Sequence, residues 1–306
     1  MKAHMKKQTA LFVLCSIFLF NMANGQTFKE QFNALDSSKD STEQKQLLGK
    51  WEKSDPNDPE LYVAYFNHYV NSSMKQNIRI DGSPKGEDVF KVMSKDTSQK
   101  EPVAFIYNDT YYDAVHLKKG FDYIEKGIKK YPDRLDMRFG KIYILGQTGD
   151  YENFTIEIIE TLNRAASNKN KWTWTDGKPK GNPKEFMLGS VQSYQMQLYN
   201  TEDDSLLDNM KRIAETVLKH YPDHVESLSN LSVVYMIQKQ YDKALEYLLK
   251  AEKINPTDHI VLNNIAQAYI RKGDKINAIK YYELVIKHGD ENAKKKAQVQ
   301  IDGLNK

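Results

Sequence analysis

The sequence predicts an all-α chain, a row of repeated helical hairpins interrupted by two irregular insertions. Three observations predict it. Pro222 and Pro256 stand thirty-four places apart, and each closes a similar phrase, His220-Tyr221-Pro222-Asp223 and Ile254-Asn255-Pro256-Thr257. Large and small side chains recur at matching places in the two frames of that length that begin at Val225 and His259. A turn signal, Gly273-Asp274, falls inside the second frame, with Gly as helix stop and Asp as N-cap.

In the first frame Leu228, Leu231, Ser232 and Tyr235 hold positions 4, 7, 8 and 11, and Ala244, Leu248 and Ala251 hold positions 20, 24 and 27. The second frame places Leu262, Ile265, Ala266, Tyr269, Ala278, Tyr282 and Val285 at the same seven positions. Positions 4, 7, 8 and 11 share one stripe of a helix. Small residues at 8, 20 and 27 let paired helices approach, and large ones fill the space between. Proline at position 32 marks the unit boundary, because it cannot continue a helix interior.

This pattern closely resembles the tetratricopeptide repeat, a helix-turn-helix unit of about 34 residues. The resemblance implies a right-handed superhelical array and about three units as a minimum for stability, so weaker units are expected upstream. Leu47, Leu48, Trp51 and Pro56 look like a second-helix half, and Glu60 to Val70 like the first helix that follows. Gly120, Ile124, Gly127 and Pro132 fall at positions 20, 24, 27 and 32 of another frame. Arg134 to Leu145 then reads as a first helix, Gly149-Asp150-Tyr151 as a turn, and Asn153 to Ala166 as a second helix. Glu185 to Tyr199 and Leu206 to Tyr221 form the next pair. Glu291 to Leu304 is expected as a polar-faced capping helix.

Two stretches break the rhythm, near residues 72–109 and 167–183. The first holds the loop signal Gly82-Ser83-Pro84-Lys85-Gly86. Ile78 and Ile80 alternate with polar neighbours and Val103 to Tyr107 is β-prone, which allows a short hairpin; Glu87 to Met93 equally allows a helical turn. The second break carries Trp172 and Trp174 in a polar run. If extended, alternation puts both rings on one face, an aromatic platform for a peptide or a sugar ring. The competing expectation, which we favour, is a local mini-core folded against neighbouring helices. The tyrosine-rich run from Tyr107 to Asp113 has the same two readings.

The chain holds 306 residues, 40% hydrophobic and 28% charged. Lys2, Lys6 and Lys7 begin a basic, then apolar (Leu11 to Phe20), then small-residue segment ending at Ala23-Asn24-Gly25. It reads as a secretory signal over residues 1–25, cleaved before Gln26, too short in its apolar run to span a bilayer. The lone cysteine, Cys15, lies within it. Beyond residue 25 basic and acidic side chains balance, so no electrostatic case exists for nucleic acid as partner. A cysteine-free exported chain suits a bacterial periplasm or cell surface, and no integral membrane span is expected after cleavage. Residues 26–221 then form the degenerate repeats and their insertions, and residues 222–306 the two well-formed units plus the cap.

No nucleotide-binding, zinc-protease or nucleophile-elbow phrase occurs. His220 and His224 flank an ordinary inter-unit turn, so no metal is expected there. Asp203-Asp204 and Glu157-Glu160 read as a cap and a solvated helix face, and no catalytic residue or cofactor is expected.

In the resembled family, first-helix positions 2, 5, 9 and 12 line a concave groove that often binds an extended peptide or helix. Here these are Glu226, Ser229, Val233 and Met236, then Ile260, Asn263, Gln267 and Ile270. Asn230 and Asn264 match an asparagine common at position 6, placed to reach a ligand backbone. The Lys and Arg that some members use at positions 2 and 6 to clamp a terminal carboxylate are absent; Glu226 with Asn230 and Ile260 with Asn264 stand there. The leading expectation is therefore an exported, non-catalytic scaffold for a protein or peptide partner. The alternatives are a glycan- or small-ligand-binding envelope protein using Trp172 and Trp174, and an enzyme with its site between the first insertion and the helical array.

Overall fold

The computed structural model describes residues 26–38, 41–83, 89–96 and 98–306. Residues 1–25, where the sequence leads one to expect a secretory signal and which hold Cys15, and the loop residues Pro84, Lys85 and Gly86, lie outside the described residues. Among the described residues there are thirteen α-helices and one three-stranded sheet, and no helix is long and apolar enough to cross a membrane. The chain divides into two compact units, residues 1–127 and 128–306.

The first unit opens with three helices, α1 (Phe28–Ser38), α2 (Ser41–Ser54) and α3 (Pro59–Ser73). Phe32, Leu47, Leu48, Trp51, Leu61, Ala64 and Tyr65 form its core. Trp51 ties the expected second-helix half to the helix after it. Its ring stacks on Phe28 at 5.8 Å between centroids, and its Nε1–H donates to Asp58 Oδ2 at 3.0 Å. Asp58 Oδ1 meanwhile accepts from the Glu60 amide and caps α3, with Pro59 in the first turn. Helix α4 (Ala114–Lys130) packs against α3 through the Tyr65–Tyr123 stack, 4.0 Å between centroids. The helices come so close that a Cβ at Gly120 would already touch the Phe66 carbonyl, 3.4 Å away.

Between α3 and α4 the first insertion forms an antiparallel sheet, β1 (Met74–Asp81), β2 (Val89–Met93) and β3 (Pro102–Tyr112), in the order β1-β3-β2. The alternating Ile78 and Ile80 and the Val103–Tyr107 run are strands, as their pattern suggests. Of the stretch Glu87 to Met93, Glu87 and Asp88 lie outside the described residues; for the rest the helical-turn option is corrected, since Val89–Met93 is a strand on β3, with Phe90 opposite Ile106. Val89, Phe90 and Val92 are β-branched or aromatic and fit a pleated surface better than a helix.

In the second unit α5 (Leu135–Gln147) and α6 (Tyr151–Ser167) form a hairpin. Its turn repeats the one between α11 (His259–Lys272) and α12 (Lys275–His288). In both, a glycine with positive φ is followed by a capping aspartate: Gly149 (71°) with Asp150, and Gly273 (78°) with Asp274. Each aspartate accepts from the amide three residues on, Asn153 or Asn277. The phrase Gly-Asp-x-x-Asn thus marks a repeat whose remaining positions have drifted. Glu157 is a correction to the sequence reading. It is buried between α5 and α6, where Arg138 Nη1 donates at 2.8 Å and Lys141 Nζ at 3.0 Å. Both cations come from α5, and one-dimensional spacing on α6 gives no sign of them.

Helices α7 (Pro183–Tyr199), α8 (Leu207–His220), α9 (Val225–Ile237), α10 (Tyr241–Ile254), α11, α12 and α13 (Glu291–Leu304) complete the row. All seven frame positions in α9 and α10 are buried, and six of seven in α11 and α12; Tyr269 is half-buried. Tyr235 stacks on Tyr247, and Tyr269 on Tyr281, at 5.6 and 5.7 Å, so even this contact repeats. Ala297 and Ile301 of α13 close the core, while most of its other residues are exposed.

The second insertion is stitched back onto the α4–α5 turn. Thr173 donates its amide to Asp133 O at 2.9 Å and accepts from the Leu135 amide at 3.1 Å. The Asp133 carboxylate accepts from Arg164 Nε at 2.9 Å and Asn168 Nδ2 at 2.7 Å. Trp172 is 2% exposed. Trp174 lies edge-on to Phe186 and Phe139, with Lys180 Nζ 4.6 Å above its ring. Trp172 thus belongs to a local core, and the half-buried Trp174 packs at its edge.

Two outcomes follow from this packing. Trp172→Ala is expected to cost about 3–5 kcal/mol in urea unfolding, the usual loss for a fully buried aromatic. Burial pushes the Asp133 carboxyl up, but hydrogen bonds from Arg164 and Asn168 outweigh it and hold it below the usual carboxylate range. Its contribution is therefore present at neutral pH and is lost as pH falls through the depressed value. Asp133→Asn should destabilise by less than about 1 kcal/mol at neutral pH, the pair being half-exposed. The Tm gap to the parent should close on acidification below the usual carboxylate range.

Candidate functional site

Small residues on the inner stripes draw the helices together and leave the opposite stripes of α7, α9 and α11 facing a common groove. A cavity of about 350 Å³ opens there. Of the residues expected from the frame, Glu226, Ser229, Asn230, Val233, Ile260 and Asn264 line it. Met236 and Gln267 line an adjoining cavity of about 410 Å³, which shares Val233 and Asn264 with the first. Asn263 and Gln267 border a further recess against α13, beside Lys295 and Lys296. Ile270 instead packs on the core of the last hairpins, and Trp172 and Trp174 belong to the stitched insertion.

A ladder of side-chain amides crosses the first cavity. Asn230 Nδ2 donates to Gln192 Oε1 at 2.8 Å, linking α9 to α7. Asn264 Nδ2 donates to Ser229 Oγ at 3.0 Å, linking α11 to α9. Gln195 donates to Met210 O at 3.1 Å, while its buried Oε1 has no hydrogen-bond partner. Around the ladder stand apolar side chains that remain open to water, Met196 and Tyr199 on α7 and Ile260 on α11. An amide–amide pair and an amide–hydroxyl pair, framed by exposed apolar groups, suit an extended chain, whose peptide groups exchange hydrogen bonds with such groups and whose side chains fill the apolar gaps.

The charge changes along the groove. Asp258 borders the first cavity but is committed to the α11 cap through the Ile260 and Val261 amides. Glu226 lies 3.3 Å from His224 Nε2. His224 caps α9, its Nδ1 accepting from the Ser227 amide at 3.3 Å. Burial pushes this imidazole below its usual pKa, against the opposing pull of Glu226. The neutral ring, with its proton on Nε2 toward Glu226, satisfies both contacts. Lys239 and Arg271 border the adjoining cavity, so acid at one end gives way to base. His220 binds Asn163 Oδ1 at 2.8 Å. Among the described residues, no group of three or more His, Cys, Asp or Glu could hold a metal ion.

Sequence reasoning missed the wall contributed by α7, namely Gln192, Gln195, Met196 and Tyr199. The signal was present. Stepping the frame back by one full period from Val225 reaches Val191 and puts these four at positions 2, 5, 6 and 9. The unit is otherwise so degenerate that its helix ends at position 9, which hides the register.

Two tetratricopeptide repeat models match the chain, over residues 225–258 and 260–287. Residues 225–287 are tetratricopeptide repeats. The chain is 24% identical over 218 residues to the protein CTR9 homolog of Arabidopsis thaliana; the match takes in 63% of this chain but only 19% of that relative. Among solved structures it is similar to YrrB, described as a TPR protein with an unusual peptide-binding site. That match has 12% identity and a TM-score of 0.40, over 82% of this chain and 97% of that one. It is also similar to PilF of Pseudomonas aeruginosa, at 17% identity and a TM-score of 0.36 over 58% and 71% of the two chains. The thermophilic TPR protein TTC0263 of Thermus thermophilus matches at 15% and 0.36, over 62% and 92%.

Proposed function

We propose that this chain is a non-catalytic scaffold that holds an extended segment of a protein partner across α7, α9 and α11. Its tetratricopeptide repeats make it a protein-interaction scaffold. The observation that carries the finer reading is the amide ladder Gln192–Asn230 and Ser229–Asn264, set among exposed Met196, Tyr199 and Ile260. The ladder's amides are half-buried, so a bound backbone could replace their mutual hydrogen bonds without stranding polar groups. The acid-to-base gradient favours a segment whose own charge runs the opposite way. With Trp172 buried and Trp174 packed edge-on to Phe186, their geometry lends the glycan reading no support. The basic, apolar and small-residue zones of residues 1–25 support action outside the cytoplasm, in a bacterial periplasm or at the cell surface.

Peptides selected by display on the purified protein should bind in the groove. Replacing both Asn230 and Asn264 with Ala should weaken a selected peptide at least about tenfold while changing unfolding free energy by roughly 1 kcal/mol per hydrogen bond. Met196→Ala with Ile260→Ala should do the same, and Trp174→Ala should leave affinity unchanged. Selected peptides indifferent to all four groove changes would refute the assignment. N-terminal sequencing of the protein recovered from cells should begin at Gln26; an intact Met1 terminus would refute export by this signal.

A further inference from the structure

Among the described residues the sheet of the first unit has two unpaired edges, and they differ. β2 is five residues long, carries Lys91 at its centre and is irregular between Val92 and Met93. A short, bulged, charged edge resists pairing with another strand. β1 has eight residues, no proline and an unbroken register against β3 from Met74↔Tyr112 to Asp81↔Phe105. All eight of its residues are exposed. Such an edge offers a row of backbone donors and acceptors to a further strand.

The side chains of β1 say which strand fits. Directly opposed residues share a face, so Met74, Gln76, Ile78 and Ile80 lie on one side with Ile106 and Phe90. Ile78, Ile80 and Phe90 are 75%, 69% and 75% exposed. Lys75, Asn77, Arg79 and Asp81 lie on the other side. Arg79 is held by Asp109 of β3 at 2.7 Å. That leaves Lys75 and Asp81, opposite in sign and equidistant from Ile78; Asp81 Oδ1 accepts from the Gly82 amide at 2.7 Å, a bond that leaves its charge in place.

We infer that β1 pairs antiparallel with β1 of a second copy of this chain, about a two-fold axis at Ile78, to make a six-stranded sheet. In that register Lys75 of each copy faces Asp81 of the other, twice. Ile78 meets its own counterpart, Ile80 meets Gln76, and Arg79 meets Asn77. Slipping by two residues brings Lys75 against Arg79, or Arg79 against Arg79. Slipping by one sets the apolar face of one copy against the charged face of the other. Parallel pairing in register sets Lys75 against Lys75. The self-complementary charges single out a second copy over an arbitrary extended peptide, and the inference is independent of the groove.

Charge reversal tests it. Sedimentation equilibrium of the purified protein should show a monomer–dimer equilibrium. Lys75→Asp alone and Asp81→Lys alone each create two like-charge pairs and should weaken the dimer about tenfold. Mixing the two single variants should restore association as a heterodimer, and the double variant Lys75→Asp/Asp81→Lys should restore the homodimer. Circular dichroism of each variant should match the parent. A parent that stays monomeric overturns the inference. So does a dimer insensitive to both reversals, or one not recovered in the mixture. A monomer that instead takes a foreign extended peptide onto β1, or cosediments with phosphatidylglycerol vesicles, also overturns it in favour of that occupant.

Discussion

Close approach between helices is the constraint on which this molecule depends. A helical hairpin has one apolar stripe per helix, and it buries that stripe only where neighbouring backbones come near. Ser232, Ala244, Ala251, Ala266 and Ala278 are all fully buried, and each stands where a larger side chain would hold two helices apart. Leu228, Leu231, Leu248, Leu262 and Ile265 occupy the space between, each burial worth about 1.5–3 kcal/mol. The energy is thus distributed through contacts that recur from one hairpin to the next.

The groove is a consequence of that packing. Once positions 4, 7, 8 and 11 point inward, positions 2, 5, 6 and 9 of successive first helices must point to the same outer side. Gln192, Asn230 and Asn264 are brought within reach of their partners in this way, although each lies a full repeat or more beyond the last along the chain. Amides suit such a place. They are neutral, so their desolvation cost is modest, and they donate and accept at once, as a peptide backbone requires. The buried Arg138–Glu157–Lys141 cluster follows another logic, since a charged group so deep is tolerated only with its partners in place.

The insertions divide the work differently. The second is pinned by Asp133 and Thr173 and filled by Trp172, so it braces the α4–α5 turn. The first projects a sheet whose long edge and apolar face remain in water. The groove suits an extended segment of another protein, whereas the sheet edge suits a like strand. The two surfaces call for different chemistry.

By itself, the sequence determined the elements that rest on local rules. The repeat pitch, the small and large frame positions, the Gly-Asp turns and the boundary prolines depend on residues within a turn or two of one another, and they located the hairpins closely. Tertiary structure alone decided what depends on partners remote in the chain. Glu157 reads as solvated until the cations of α5 are set beside it. Trp172 and Trp174 alternate like a platform until Asp133 ties down Thr173 between them and Phe186 packs on Trp174. β1 joins β3 rather than its sequence neighbour β2, and α7 supplies a groove wall that its broken register conceals. In each case the deciding contact is made across space, and periodicity along a chain carries no record of it.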